Sequence, residues 1–290
     1  MANEFVQYLA GINNSNFHIS EVDHEIQLWG VRNDQNVSIK GISYHCTEPW
    51  SDHSIQNRLC CVVELAKRAD IPCLWIGAHN VDWRNLEGTV EAGVVEQSNT
   101  GLVCDRSDVD VSHSNSDIEG RSELEQYLQT LMGTSLSDYY SLGSHKKEIN
   151  KSTSPVQEWV RANMPKEFVV IDVDVLVGSG TTPTALVEIR RSNWPSGDQI
   201  HGWWPWGSDK RNYYLLAAAA QAAEIKPVLV QHQKSQLDDS DTVGYYTNLG
   251  YKQHGYVNGK YPDESDARAW LEFDVDYPTV SEAIRRLESL

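Results

Sequence analysis

The chain has 290 residues with 24 basic and 41 acidic side chains, a formal charge of −17, and 40% of it is apolar. That apolar share builds a core for one large or two ordinary domains, and no run approaches the roughly 18 apolar residues of a membrane span. The charge excludes a uniformly basic nucleic-acid coat, but it is uneven: residues 1–150 sum to −12, residues 151–234 to +1 and residues 235–290 to −6.

In chain order, IQLWGVRNDQNVSIKGISY predicts two strands joined by a turn at Arg32 to Asn36. SIQNRLCCVVELAKRAD predicts a helix and IPCLWIGAH the strand after it. From about 105 to 155 the pattern loosens, with DRSDVDVSHSNSDIEG polar and turn-rich. Inside it, SELEQYLQTLM has helical spacing at Leu124, Leu128 and Leu131, with Ser122 as cap and Glu125 three residues on. A domain junction is expected near 140–153.

The second half then reads as helix SPVQEWVRANM opened by Pro155, strand FVVIDVDVLV, turn GSGTTP and returning strand TALVEIRRS. A long loop with WPSGDQIHGWWPWGS leads to the alanine-dense helix DKRNYYLLAAAAQAAEI, the strand KPVLVQHQ and a last helix, TVSEAIRRLESL. Thr279 and Glu282 form a capping box there. The tyrosines of GYYTNLGYKQHGYVNGKY read as loop or short-strand positions.

The halves share a joint: a helix, then ADIPCLWIGAH in one and AEIKPVLVQHQ in the other. The expected architecture is therefore α/β with two domains, residues 1–145 and 152–290, the first a degenerate relative of the second.

Three carboxylates stand in very apolar runs: Asp172 and Asp174 in VVIDVDVLV, and Glu188 in ALVEIRR. A buried charge is costly unless something pairs with it. Strand alternation puts Asp172 and Asp174 on one face, and Glu188 with Arg190 on one face of the returning strand. Two carboxylates side by side repel, and a hard divalent cation relieves that, held by one or two carboxylates plus water and phosphate oxygens. A plainer arrangement also suits these residues: a solvent-facing hairpin with Glu188 and Arg190 as an ordinary ion pair.

An aspartate in an apolar strand, a hairpin turn, Glu-x-Arg in the next strand, then a helix and another strand resemble the PD-(D/E)XK nuclease superfamily, over roughly 152–234. The resemblance implies a restriction-endonuclease-like mixed sheet flanked by helices, and Mg²⁺- or Mn²⁺-dependent phosphodiester hydrolysis. It implies Asp174 and Glu188 as metal ligands, Asp172 as a second candidate for the aspartate and Glu158 as the acid on the preceding helix. The family's lysine position holds Arg190, which stays protonated and positions or polarises instead of acting as a base. Lys210, at the start of the next helix, is the candidate for the missing ammonium. Nucleic acid, DNA before RNA, is the implied partner, with a homodimer as the expected assembly. The alternative is a non-catalytic structural or interaction protein of a virus or mobile element built on the same fold.

In the first half the position equivalent to Glu188 falls near Gly41, and IQLWGV has no aspartate, so a metal site is not expected there. The five cysteines, Cys46, Cys60, Cys61, Cys73 and Cys104, are odd in number and irregularly spaced, as reduced thiols are. His45, Cys46, His53, Cys60 and Cys61 lack the spacing of a zinc site. Trp203, Trp204 and Trp206, with Lys210, Arg211, Tyr213 and Tyr214, either stack on bases or cover the hairpin. MANEFVQYLAG has no signal-peptide pattern, so a soluble cytoplasmic protein is expected; the many carboxylates and few lysines suit a salt-rich cytoplasm.

Overall fold

The strand–strand–helix–strand order read from each half is also how the chain folds, in a mixed α/β architecture with two mixed sheets. The computed structural model describes residues 4–12, 15–20, 24–32, 37–47, 50, 53–77, 81–82, 87–99, 101–111, 123–131, 159, 164, 167–191, 210–232, 243–249, 271–277 and 279–290. The expected helix SPVQEWVRANM, the tryptophan loop and the junction near 140–153 lie outside these residues, apart from Trp159 and Met164.

In the first half, β2 (His24–Arg32) pairs antiparallel with β3 (Val37–Cys46), α2 (His53–Arg68) crosses over, and β4 (Cys73–Gly77) lies parallel to β3. In the second, β9 (Val175–Ser179) pairs antiparallel with β10 (Thr182–Arg191), α4 (Lys210–Ala222) crosses over, and β11 (Lys226–His232) lies parallel to β10. An antiparallel neighbour follows on the far side of each: β6 (Glu87–Ser98) beside β4, and β12 (Val243–Leu249) beside β11. β7 (Gly101–Asp110) and β13 (Leu271–Tyr277) extend these edges, and the short β5 (Val81–Asp82) pairs with β6.

The match reaches single residues. Each hairpin has one irregularity at the same place: Gly30 pairs with Ile39 after Trp29 pairs with Gly41, and Gly178 pairs with Pro183 before Val177 pairs with Ala185. Each helix ends on a left-handed acidic residue, Asp70 at φ 53° and Glu224 at φ 56°. Ile71 then bonds back to the carbonyl of Ala66, and Ile225 to that of Ala220. These joints close the helix and turn the chain directly into the parallel strand.

The predicted single strand over 168–177 is divided. FVVIDVDVLV is two strands: β8 (Phe168–Val173) pairs with β2 in the first sheet, and β9 continues in the second. The chain does the reciprocal thing at its start, where β1 (Phe17–Ile19) pairs with β9 and β2 follows in the other sheet. Each half thus lends its first strand to the other's sheet. Asp174 and Ser20 mark the two crossings, tied by the Ser20 N–H to Asp174 carbonyl bond of 3.0 Å and by the Ser20 hydroxyl on the Val173 carbonyl.

The central core follows from this exchange. It combines Ile26, Leu28, Ile42 and Tyr44 of the first sheet with Leu176, Leu186 and Leu229 of the second, and with the apolar faces of α2 and α4 between them. α2 packs on β10 and α4 on β3, again reciprocally. A Cβ on Gly30 would meet Leu215 Cδ1 of α4 at 2.7 Å, and one on Gly178 would meet Cys61 Sγ of α2 at 2.7 Å. At Gly178 it would also meet the Thr182 carbonyl oxygen at 2.7 Å, which cannot swing aside. Gly178→Ala is therefore expected to cost roughly 1–3 kcal/mol in urea unfolding, the usual range for overpacking. A cost below about 0.5 kcal/mol, the range of an ordinary surface change, would contradict this close approach.

The outer faces carry separate cores. α3 (Glu123–Leu131), Trp159 and Met164 cover the first sheet, packed with Val109 of β7. α1 (Glu4–Ile12) and α5 (Val280–Glu288) cover the second, α5 opening on the Thr279 cap whose hydroxyl accepts from Glu282 N–H at 3.2 Å. Among the described residues no helix is long and apolar enough to cross a membrane.

Candidate functional site

Asp174 is the single residue between β8 and β9, held where the chain changes sheets. The β9–β10 register, Val175 opposite Val187, brings it to the open end of the hairpin, away from the turn, beside Glu188 and Ile189. Its Oδ2 accepts the Ile189 backbone N–H at 2.6 Å. Burial pushes its carboxyl up to about pH 6, against the opposing pull of that N–H and of Arg190.

Glu188 is 6% exposed on the inner face of β10, between the sheet and the helices. The Arg190 guanidinium donates to its Oε1 at 2.8 Å. Arg190 Nε donates to the Tyr213 hydroxyl at 3.1 Å, and the guanidinium lies 5.7 Å from the centre of that ring. Tyr213 comes from the first turns of α4, so the alanine-rich helix clamps the arginine from above. Its full burial removes it from the candidates for base stacking. Gln231, also fully buried, stands opposite Arg190 on the parallel strand β11. Neither role was visible in sequence: the signal would have been the polar residue directly after VLV and a tyrosine one helical turn after Asp209.

Asp172 does not share a face with Asp174. It lies on the outer side of β8, where Gln27 Nε2 donates to its Oδ1 at 3.0 Å and to Glu25 Oε2 at 3.0 Å. The same outer face holds Trp29 Nε1 donating to Ser43 Oγ at 2.6 Å, and Ser43 Oγ against His45 Nε2 at 2.7 Å. Burial lowers the His45 pKa to about 3, so the ring is neutral. His45 therefore belongs to a buried hydrogen-bonded layer together with Glu25 and Gln27.

The cysteines are all free thiols, as expected. Cys46 Sγ accepts from Trp75 Nε1 at 3.1 Å, and burial pushes the Cys61 thiol up to about 12. Among the described residues no group of three or more His, Cys, Asp or Glu side chains gathers as a metal site. Glu158 and the side chain of Lys210 lie outside the described residues; the Lys210 backbone begins α4.

Fold and site together define a mixed α/β protein with Asp174, Glu188 and Arg190 at the open end of one hairpin. No family model, curated protein or solved structure matches the chain.

Proposed function

We propose that this chain is a divalent-cation-dependent nuclease of the PD-(D/E)XK kind, with a restriction-endonuclease-like unit in residues 152–290 and a relative of that unit in residues 1–145. The observation that carries the reading is the placing of Asp174, Glu188 and Arg190 at the open end of one hairpin, followed by a crossover helix and a parallel strand.

The donor set fits a hard cation. Two carboxylates of adjacent strands are the usual protein share of a Mg²⁺ or Mn²⁺ shell that water and phosphate oxygens complete. The raised pKa of Asp174 marks a carboxyl that a cation would hold ionised. Asp174 and Glu188 would hold the ion, which when bound polarises a phosphoryl oxygen and acidifies water.

The remaining chemistry belongs to the protein. Arg190 cannot take a proton from water, so it acts as fixed positive charge for a phosphoryl oxygen as negative charge develops. Tyr213 fixes the direction of its guanidinium through the 3.1 Å bond. The Ile189 N–H fixes Asp174 from the opposite strand. Near-neutral charge in residues 151–234 lets a phosphate backbone approach where the rest of the chain is acidic.

One observation favours a non-catalytic interaction protein instead: Arg190 occupies a Glu188 oxygen that the ion needs. The deciding experiment offers circular and linear DNA and RNA to the protein with Mg²⁺ or Mn²⁺, from low to multimolar salt. Cleavage that stops with chelator is expected. A folded protein that cleaves nothing at any salt overturns the nuclease reading in favour of the binding module.

A further inference from the structure

Resting on the nuclease reading above, we infer that one chain meets a nucleic-acid duplex as a fused pair of units and cuts a single strand per encounter. The reciprocity of the fold carries this. β1 lies on the second sheet and β8 on the first, α2 packs on β10 and α4 on β3, and Gly30 admits Leu215 as Gly178 admits Cys61. Contacts in which each half does to the other what is done to it are those of a two-fold pair. A duplex is itself built of strands related by two-fold axes, so such a pair with acids in both units would address both strands.

Among the described residues only one unit has the acids at this place. Leu74 of β4 and Val228 of β11 occupy the same place after their helices, and they pair with Ser43 and Val187. Ser43 in turn pairs with Gln27, and Val187 with Val175. Counting back one residue puts Ile26 where Asp174 stands. Counting forward puts Tyr44 at the Glu188 place and Cys46 at the Arg190 place, three residues on from the Gly41 expected from sequence. None of the three offers a carboxylate or a cation.

Core side chains fill that place. Ile26 is 1%, Tyr44 3% and Cys46 1% exposed, all within the shared core. The Tyr44 hydroxyl lies 3.2 Å from His24 Nδ1, and Cys46 receives the Trp75 indole N–H. Leu59, fully buried, takes the place of Tyr213. Among the described residues the first unit therefore offers no second set of ligands.

Each event is then one hydrolysis. Water oxygen bonds to phosphorus, one ester P–O bond breaks, and the departing sugar oxygen takes a proton, leaving one phosphate monoester and one hydroxyl at the break in the cut strand, with its partner strand intact.

The test uses the full chain, substoichiometric to supercoiled plasmid, with Mn²⁺ or Mg²⁺ at the salt optimum. Nicked circles should accumulate first, with linear DNA appearing only later from second nicks, and Tyr44→Phe should leave the nicking rate unchanged. Linear DNA formed from the outset without a nicked intermediate overturns the inference, as does loss of cleavage in Tyr44→Phe with the fold retained. Cleavage of single strands with the plasmid intact overturns it while sparing the nuclease reading. A folded protein that cleaves no nucleic acid at all overturns that reading and this inference together.

Discussion

Glutamine at position 188 should bring phosphodiester cleavage down to the no-enzyme baseline while the protein still folds. The substitution keeps the shape of a side chain that is 6% exposed and deletes one of the two carboxylates proposed to hold the ion. It also removes the negative partner 2.8 Å from the Arg190 guanidinium. Breaking a fully buried pair costs about 3–5 kcal/mol, but Arg190 is 30% exposed, so solvent screens it and roughly 1–2 kcal/mol is expected. Arg190→Ala should be milder in activity, lowering turnover by about 10²–10³-fold as the loss of one charge-stabilising donor does. Arg190→Lys restores the charge without the fork that reaches both Glu188 and Tyr213, so it should fall between wild type and alanine. Plasmid cleavage beside circular dichroism and urea unfolding reads all three. A Glu188→Gln protein that cleaves at the wild-type rate would remove Glu188 from the site.

The residues of this site were legible because their chemistry is local: acids in apolar strands, and Glu-x-Arg two positions apart on one face. So were the crossover helices, whose alanine, leucine and valine spacing is strong, and the Thr279 cap. The exchange of first strands was not. Alternation predicts that a run is a strand, yet it says nothing about which sheet supplies the partner, and that choice is made by pairing across the whole chain. The consequence falls on the aspartates. On one continuous strand they would share a face, but the change of sheet at Asp174 sends Asp172 out to Gln27 and holds Asp174 inside against Ile189.

Polar strands were equally hard to see. DRSDVD reads as loop, yet it is the larger part of β7, whose side chains are mostly exposed and whose position is set by the hairpin with β6 and by Arg106 on Glu91 at 2.6 Å. The layer of Glu25, Gln27, Ser43 and His45 was hidden for the opposite reason. Its strand positions look like a solvent face, and only the cover of α3, Trp159 and Met164 on that side makes it interior.

Asparagine at position 174 should abolish cleavage and yet stabilise the metal-free protein at neutral pH. Burial raises the folded Asp174 pKa to about 6 from an ordinary value near 3.8. The folded state therefore holds a proton that the unfolded chain releases, and between those values unfolding releases protons. Stability from this group is fully present below about pH 4, falls as pH rises to about 6 and stays low above it, a swing on the order of 3 kcal/mol. Asparagine has no charge to bury, and its amide oxygen can still accept the Ile189 N–H, though more weakly than a carboxylate does. A gain of about 1–2 kcal/mol at pH 8 in chelator is the expected net, shrinking toward zero at pH 4, where wild type is already neutral. Urea unfolding at the two pH values reads it, and a variant no more stable than wild type at pH 8 would show that Asp174 is not strained by its burial. Added Mg²⁺ or Mn²⁺ should then reverse the order. Wild type gains RT ln(1 + [M]/Kd) from an ion that binds the folded site alone, whereas the asparagine variant, lacking the carboxylate, gains little. The same carboxylate would thus weaken the empty fold and tighten the loaded one, as expected of a group kept for chemistry instead of stability.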